Sequence, residues 1–508
     1  MTSNGLAGAP VRTEAGLVEG VAESDLAVFR GIPFAAPPVG DLRWRAPAPA
    51  IPWDGVRRAE AFAPACPQNQ RLNAAFGWPV LPTSEDCLHL NVWTPAASPG
   101  DRLPVMVWIY GGGFTMGATA TPAYNGELLA KRGVVVVSIA YRVGAFGFLA
   151  HPELSAESGH GSGTYGLQDQ IAALGWIQRN IAGFGGDPDR VTIFGESAGG
   201  ISASMLAASP LAKGLFQRAI SQSGGSFGPA QTGDIGGANV PPLADAEAEG
   251  VAFLARLGVA TIAEARRLRP ETLVGGMSGA LAEFWPVLDG HVIPGDQYAL
   301  YRAGRYNDTP ILIGTNGDEG ALFVQSANAS DYTADIRARF GDYADKVLAE
   351  YPAGSDAEAL RSARDLFRDT GFAWHTWAWA LLQARTGQGR VFAYYFDHRP
   401  PYPAVPPMND WGASHGCEIA YVFGRPEPAM RWSAEDRAIS DALGAYWTNF
   451  AKTGDPNGAG LSAWPAFTEA APTMMHFTGT PEAGPVANAD KLTMLEGYYA
   501  WRRGEGPA

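Results

Sequence analysis

The chain has 508 residues, of which 46% are hydrophobic and 17% are charged, and its formal net charge is −14 at pH 7. This hydrophobic content is enough for a large packed core and excludes a chain that is disordered throughout. The excess of acidic residues argues against nucleic acids and anionic membrane surfaces as the main partners. These bulk properties say nothing more about what the protein binds.

The N-terminal residues have neither the basic start nor the apolar centre of a signal peptide. The apolar run that comes nearest to a membrane span, 134–139, has only the length of a strand. We therefore expect a soluble, cytoplasmic protein without a membrane span, or a secreted one if a leader has been removed. A monomer and a small homo-oligomer are both compatible with the sequence.

Three cysteines, Cys66, Cys87 and Cys417, are too few for a disulfide framework and lack the Cys-x-x-Cys spacing of a zinc site. We predict no metal site. Cys66 and Cys87 lie 21 positions apart. A disulfide between them would stabilise the fold by roughly 3 kcal/mol in the chain-entropy account. In a reducing cytoplasm the same residues are expected to be buried thiols.

Aliphatic and β-branched runs alternate with helical patterns, which predicts a mostly parallel α/β sheet with helices on both faces. The predicted strands, in chain order, are 105–110, 134–139, 191–194, 219–222, 311–313 and 391–396. Apolar residues recur every three or four positions from Leu167 to Ile181, as on one face of a helix. The segment 331–388 has a helical, Ala- and Arg-rich composition and is interpreted as an insertion between strands. We predict one domain over 1–508.

The strand at 105–110 leads directly into Gly111, Gly112 and Gly113. Glycines at this place let backbone N–H groups approach the oxygen that becomes negative in an acyl-transfer intermediate. A phosphate-binding loop is the competing interpretation, but no Gly-Lys-Ser/Thr sequence follows. The glycines therefore favour an oxyanion hole.

The strand at 191–194 is followed by Gly-Glu-Ser-Ala-Gly at 195–199. This Gly-x-Ser-x-Gly motif raises Ser197 on a sharp turn between a strand and a helix, where a substrate reaches the hydroxyl. The N–H of Ala198, at the positive end of that helix, is predicted to be a further oxyanion donor.

A serine nucleophile needs a base, usually histidine, which is itself oriented by a carboxylate. The strand at 311–313 leads into a turn that carries Asp318 and Glu319. The residues alone do not decide which of these two is the acid.

Among eight histidines, His415 lies in a loop of small residues downstream of the acid. It completes the chain order serine, acid, histidine of α/β-hydrolases. His375 lies among tryptophans and is predicted to be a packed helix histidine, whereas His398 is predicted to anchor a loop.

With these residues in place, the chain resembles the type-B carboxylesterase family, which includes the cholinesterases and bacterial p-nitrobenzyl-type esterases. The resemblance covers nearly the whole length. It rests on Phe-Arg-Gly-Ile-Pro-Phe-Ala at 29–35, Glu-Asp-Cys-Leu-His-Leu-Asn at 85–91, the segment 184–199 and Phe-Ala-Lys-Thr-Gly-Asp-Pro-Asn at 450–457. It implies an α/β-hydrolase fold that hydrolyses small carboxylic esters through an acyl-enzyme, without a cofactor.

The resemblance also implies residue roles. It makes Glu319 the acid of a Ser197–His415–Glu319 triad, and Cys66–Cys87 a disulfide. The oxyanion hole corresponds to Gly112, Gly113 and Ala198, and the residues that hold water and the acid correspond to Glu196 and Ser223.

The expected acyl pocket departs from the cholinesterases. Where those enzymes carry bulky aromatic residues before a Pro-Val-x-Asp-Gly segment, this chain has Ala280, Leu281 and Ala282. We expect a roomier pocket, lined also by Phe114 and Phe284, with a broad substrate range and no preference for choline esters. Cys417 follows His415 closely and is expected to be a small buried hydrophobic residue.

Two alternatives remain at this point. The same triad serves amide or carbamate hydrolysis, or acyl transfer to an alcohol. A non-catalytic adhesion-type relative is the second alternative, but such proteins lack the serine.

Overall fold

The computed structural model describes residues 5–75, 77–230, 240–281, 283–427 and 429–506. Its strands are β1 (Val11–Arg12), β2 (Leu17–Glu19), β3 (Val21–Glu23), β4 (Leu26–Pro33), β5 (Val56–Arg58), β6 (His89–Thr94), β7 (Leu103–Ile109), β8 (Val135–Ile139), β9 (Gly186–Glu196), β10 (Arg218–Gln222), β11 (Ile311–Asn316), β12 (Val391–Phe396), β13 (Thr473–Phe477) and β14 (Glu482–Pro485).

Its helices are α1 (Gln70–Ala75), α2 (Glu127–Ala130), α3 (Gly144–Phe148), α4 (Pro152–Ser158), α5 (Tyr165–Asn180), α6 (Ala198–Ala208), α7 (Leu243–Arg256), α8 (Ile262–Ala265), α9 (Pro270–Gly276), α10 (Gln297–Arg302), α11 (Ala329–Phe340), α12 (Ala344–Glu350), α13 (Asp356–Arg368), α14 (Trp374–Thr386), α15 (Glu418–Phe423), α16 (Ala434–Thr453) and α17 (Ala489–Arg502). A π-helical turn, Asp369–Ala373, joins α13 to α14.

Across the described ranges, eleven strands form the main sheet in the order β14-β13-β12-β11-β10-β9-β7-β8-β6-β4-β3. The strands from β13 to β8 in this order run parallel to their neighbours. Antiparallel strands flank them, with β14 on one side and β6, β4 and β3 on the other. The mostly parallel sheet agrees with the sequence prediction, which did not include the antiparallel strands.

All six predicted strands belong to the parallel part of the sheet. The prediction at 391–396 coincides with β12, and the other predicted strands differ from the observed ones at their ends. The largest difference is in β9, which begins at Gly186 because this residue already pairs with Leu103 of β7. Long-range pairing therefore extends the strand through a segment whose glycines and proline predict a break.

Helices cover both faces of the sheet. Every residue of β8 and of β11 is buried, and successive side chains of a strand point to opposite faces. The predicted insertion at 331–388 corresponds to α11–α14, which lie between β11 and β12. Their buried side chains belong to the same hydrophobic cluster as the sheet, so this segment does not enclose a core of its own.

Parallel strands end at one edge of a sheet, and this edge gathers the predicted site residues. The glycine loop follows β7, Ser197 follows β9, Ser223 follows β10, and the Asp318–Glu319 turn follows β11. In open α/β sheets, ligands bind at this carboxyl edge. No helix among the described residues has the length and apolar character needed to cross a membrane.

Candidate active site

Ser197 occupies a strained turn between β9 and α6. Its φ of 55° and ψ of −125° are unusual for a residue with a side chain, and its N–H donates to the carbonyl oxygen of Gln222 at 2.9 Å. A Cβ on Gly199 would overlap the carbonyl oxygen of Ile109, so glycine is required there. Ser197 is half-buried and its hydroxyl makes no hydrogen bond with any described residue, which leaves the oxygen free for a substrate.

The glycine loop lies against this turn. A Cβ on Gly111 would lie 3.0 Å from the Cβ of Ser197. Gly112, Gly113 and Phe114 all have left-handed backbones, with φ of 107°, 60° and 56°. The N–H groups of Gly112 and Gly113 donate to no group in the described part of the chain. They therefore remain available to an oxyanion, as does the N–H of Ala198 in the first turn of α6.

The glycine loop is held at its far end by Gln68. The buried side-chain amide of Gln68 donates to the carbonyl oxygen of Gly117 and accepts from the Gly117 N–H, both at 2.9 Å. This paired contact limits the movement of the loop. Sequence reasoning did not single out Gln68, which lies two residues after Cys66.

Glu319, rather than Asp318, lies against the histidine. Oε2 of Glu319 is 2.5 Å from Nδ1 of His415, and Oε1 accepts from the Ser223 hydroxyl at 2.5 Å and the Asn316 N–H at 2.7 Å. Glu319 is completely buried. Its hydrogen bonds to Ser223 and Asn316 offset the cost of burying the carboxylate.

The second nitrogen of His415 faces Glu196. Nε2 of His415 is 3.2 Å from Oε1 of Glu196, which accepts no hydrogen bond among the described residues. Burial raises the pKa of Glu196 to about 8. Burial alone lowers the pKa of His415, but the carboxylates of Glu196 and Glu319 outweigh it and raise that pKa to about 9.

Aromatic side chains from the helical insertion and the acid loop cover His415. Phe372, in the π-helical turn, stacks on the imidazole with ring centres 4.5 Å apart, and Phe323 lies at 5.1 Å. A π-helical turn is a frequent feature of functional sites. No sequence signal identified these two residues, because their approach depends on how α13 and α14 pack.

Behind the site lies a third buried carboxylate, Glu418, which sequence reasoning also missed. It accepts from the side-chain amides of Gln222 at 2.9 Å and Asn316 at 2.5 Å. Burial, followed by the repulsion of Glu319, raises the pKa of Glu418. The sequence feature that could have identified Glu418 is an acidic residue at the start of the otherwise apolar segment 418–423, three positions after His415.

The other two histidine candidates, His375 and His398, make contacts that support the fold. Nδ1 of the buried His375 accepts from the Phe227 N–H at 3.0 Å, and Nε2 lies 3.1 Å from the carbonyl oxygen of Thr370. Burial lowers the pKa of His375 to about 3. His398 pairs with Asp436 at 2.8 Å. Both positions agree with the predicted packed helix histidine and loop anchor.

The residues predicted to line the acyl pocket differ in their exposure to solvent. Phe114 is completely buried and its ring packs edge-on against Phe148 and Trp285, so its role in the pocket stays a prediction. Phe284 is nearly buried and packs on Phe253. Ala280 is exposed, and Ala282 lies outside the described residues. The roomy acyl pocket stays a prediction.

The cysteines are all free thiols in the structure, so the expected Cys66–Cys87 disulfide is not formed. Both residues are buried, and the neighbouring Cys66 thiol, together with burial, raises the pKa of Cys87. This is the buried-thiol alternative of the sequence analysis. Cys417 is only partly buried, and its Sγ lies 3.7 Å from the Asn316 amide nitrogen. In the described residues, no group of three or more His, Cys, Asp or Glu side chains is arranged to hold a metal ion.

The mostly parallel sheet and the strained turn that carries Ser197 between β9 and α6 define a class, the α/β-hydrolase fold. Comparison with known proteins makes this specific. The model of the carboxylesterase family matches residues 8–494, and the chain belongs to this family.

Named relatives agree with this membership. The chain is 40% identical over 472 residues to fumonisin B1 esterase of Sphingopyxis macrogoltabida, covering 90% of this chain and 84% of the relative. It is 37% identical over 477 residues to para-nitrobenzyl esterase of Bacillus subtilis (strain 168), covering 90% and 92%. A solved PNB esterase structure matches with a TM-score of 0.82 and 34% identity, covering 96% of this chain and all of that one. The protein is accordingly a carboxylic ester hydrolase.

Proposed function

We propose that Ser197, His415 and Glu319 form the catalytic triad, and that the N–H groups of Gly112, Gly113 and Ala198 form the oxyanion hole. The observation that carries the proposal is the 2.5 Å contact between Glu319 and His415. The same histidine lies 3.2 Å from Glu196, the residue directly before the strained turn of Ser197. The free N–H groups of the glycine loop support the second part.

The reaction follows from these positions. His415 donates its Nδ1–H to Glu319, which leaves Nε2 to take the proton of the Ser197 hydroxyl as the oxygen attacks the ester carbonyl. The alcohol leaves with the proton from Nε2. Water then gives its proton to the same nitrogen and attacks the acyl-enzyme, which releases the carboxylic acid and restores the serine.

Glu196 and Ser223 act indirectly in this scheme. Ser223 holds Glu319 by the 2.5 Å hydrogen bond to Oε1. Glu196 lies next to Ser197 in sequence and faces Nε2 of His415, where it stabilises the imidazolium that forms in each step.

The substrate class is small carboxylic esters, and esters of p-nitrobenzyl alcohol are the first to assay because a relative is named for them. Ser197→Ala and His415→Ala should each lower kcat by several orders of magnitude without unfolding the protein. His160→Ala is a matched control, because His160 stacks on His291 away from these contacts. Near-complete activity of His415→Ala would contradict the proposal and return attention to His375 and His398.

A further inference from the structure

Two loops of the candidate site are joined at Asp318. The Asp318 N–H donates to the carbonyl oxygen of Ala413 at 2.9 Å, and Oδ2 of Asp318 accepts from the Gly412 N–H at 2.7 Å. Asp318 and Ser414 pair as an isolated parallel bridge. The backbone and the side chain of one residue therefore hold the loop of the histidine.

The register of this pairing matters for the two residues that follow it. Glu319 comes directly after Asp318, and His415 comes directly after Ser414. Because the two backbones are paired at this point, the Cα atoms of Glu319 and His415 are held at a fixed separation. A contact as short as 2.5 Å between these side chains depends on that separation.

The Asp318 side chain also fits closely. A Cβ on Gly412 would lie only 3.0 Å from the Cβ of Asp318, so the two loops approach each other as nearly as glycine allows. Burial raises the pKa of Asp318, and Arg364 and Arg368 act in the opposite direction. Their side chains donate to the carbonyl oxygens of Val324 and Gly317, both at 3.0 Å, and so clamp the acid loop to α13.

We propose that Asp318 is a positioning residue that aligns Glu319 with His415 by holding the backbone of the histidine loop at Gly412. This inference rests on the triad proposed above. Asp318 contacts neither the histidine ring nor Ser197 among its hydrogen bonds, so it acts through the backbone. Asp318 is the acidic residue that the sequence alone could not distinguish from Glu319 as the acid, and here it has a role of its own.

The test compares Asp318→Ala with Asp318→Asn, each normalised to active sites titrated by a fluorophosphonate. Asp318→Ala should lower kcat by about tenfold or more with little change in KM, since the loss falls on transition-state alignment. Asp318→Asn should retain most activity, because its amide oxygen still accepts from the Gly412 N–H. Asp410→Ala is the matched control. Asp410 lies in the same loop as His415, and its half-exposed carboxylate pairs with Arg364 of α13.

The pH profile separates positioning from general stability. In Asp318→Ala the Glu319–His415 contact loosens, so the acid limb of kcat/KM should move towards lower pH, whereas Asp318→Asn and Asp410→Ala keep the wild-type limb. Wild-type kcat and pH profile in Asp318→Ala, with only a lower Tm, would overturn the inference. If Asp318→Ala does not fold, Asp318→Ser replaces it, because the serine side chain is too short to reach Gly412. Failure of the triad itself is distinguished by a fluorophosphonate adduct on a residue other than Ser197.

Discussion

Nε2 of His415 lies 3.2 Å from Oε1 of Glu196, while the other ring nitrogen, Nδ1, contacts Glu319. The histidine that we propose as the base for Ser197 is thus placed between two buried carboxylates. This arrangement stabilises the imidazolium and raises the pKa of His415 above the ordinary value of histidine.

The first prediction concerns pH dependence. If His415 is the base, as proposed, it acts only when neutral, so activity should fall as pH drops through its raised pKa of about 9. Glu196→Gln removes one of the charges that raise this pKa, so the acid limb of kcat/KM should move to lower pH. Profiles on p-nitrophenyl butyrate provide the measurement, with Glu469→Gln, a change in an exposed ion pair with Arg385, as control. An unshifted limb would show that Glu196 does not act on His415.

The second prediction concerns the glycine loop. Gly112 has a φ of 107°, and a Cβ there would overlap the carbonyl oxygen of Met116, so Gly112→Ala must displace the loop. Loss of an oxyanion donor typically lowers kcat by about a hundred- to a thousand-fold. Gly275→Ala is the control, because the space around Gly275 is open and its φ is not left-handed. Steady-state kinetics at matched Tm give the comparison, and equal kcat in both variants would argue against the oxyanion role.

The third prediction concerns the support of the acid. Ser223→Ala removes the 2.5 Å hydrogen bond to Oε1 of Glu319 and leaves only the Asn316 N–H on that oxygen. A hydrogen bond to a charged group contributes about 1.5–3 kcal/mol, so kcat should fall roughly ten- to a hundred-fold. Ser209→Ala is a suitable control, since the buried Ser209 hydroxyl has no partner among the described residues. Unchanged kcat in Ser223→Ala would mean that Glu319 is held without this serine.

The fourth prediction concerns the neighbouring thiols. The structure holds Cys66 and Cys87 as free thiols in contact, so oxidation should join them and raise Tm. The closed loop contributes roughly 3 kcal/mol in the chain-entropy account. The reaction should be slow, because the interaction with Cys66, followed by burial, raises the pKa of the Cys87 thiol.

Thiol titration in denaturant before and after oxidation checks this pairing. Reduced protein should show three reactive thiols, and oxidised protein only Cys417. Cys87→Ser should abolish the rise in Tm. A rise that persists in Cys87→Ser, or three thiols after oxidation, would contradict it.

The sequence predicted the parts of the molecule that depend on local pattern. The strand at 391–396 was identified completely because it is an unbroken apolar and aromatic run, of which five residues are buried. The turn at Ser197 was identified because it requires glycines at fixed positions. The chain order of motifs then pointed to His415, and family resemblance chose Glu319 over Asp318.

The remaining features arise from contacts between distant segments. The bond from Gly412 to Asp318 spans 94 positions, and Glu418 meets Gln222 across 196. Phe372 reaches His415 from the π-helical turn that joins α13 to α14. No local periodicity carries such information.

The most direct test of the account is to label the active enzyme with a fluorophosphonate and locate the adduct by peptide mass spectrometry. We expect one adduct, on Ser197, formed in step with the loss of esterase activity and absent from Ser197→Ala. An adduct on any other residue would contradict the assignment of Ser197 as the nucleophile. Full esterase activity that remains after treatment with the fluorophosphonate would contradict it as well.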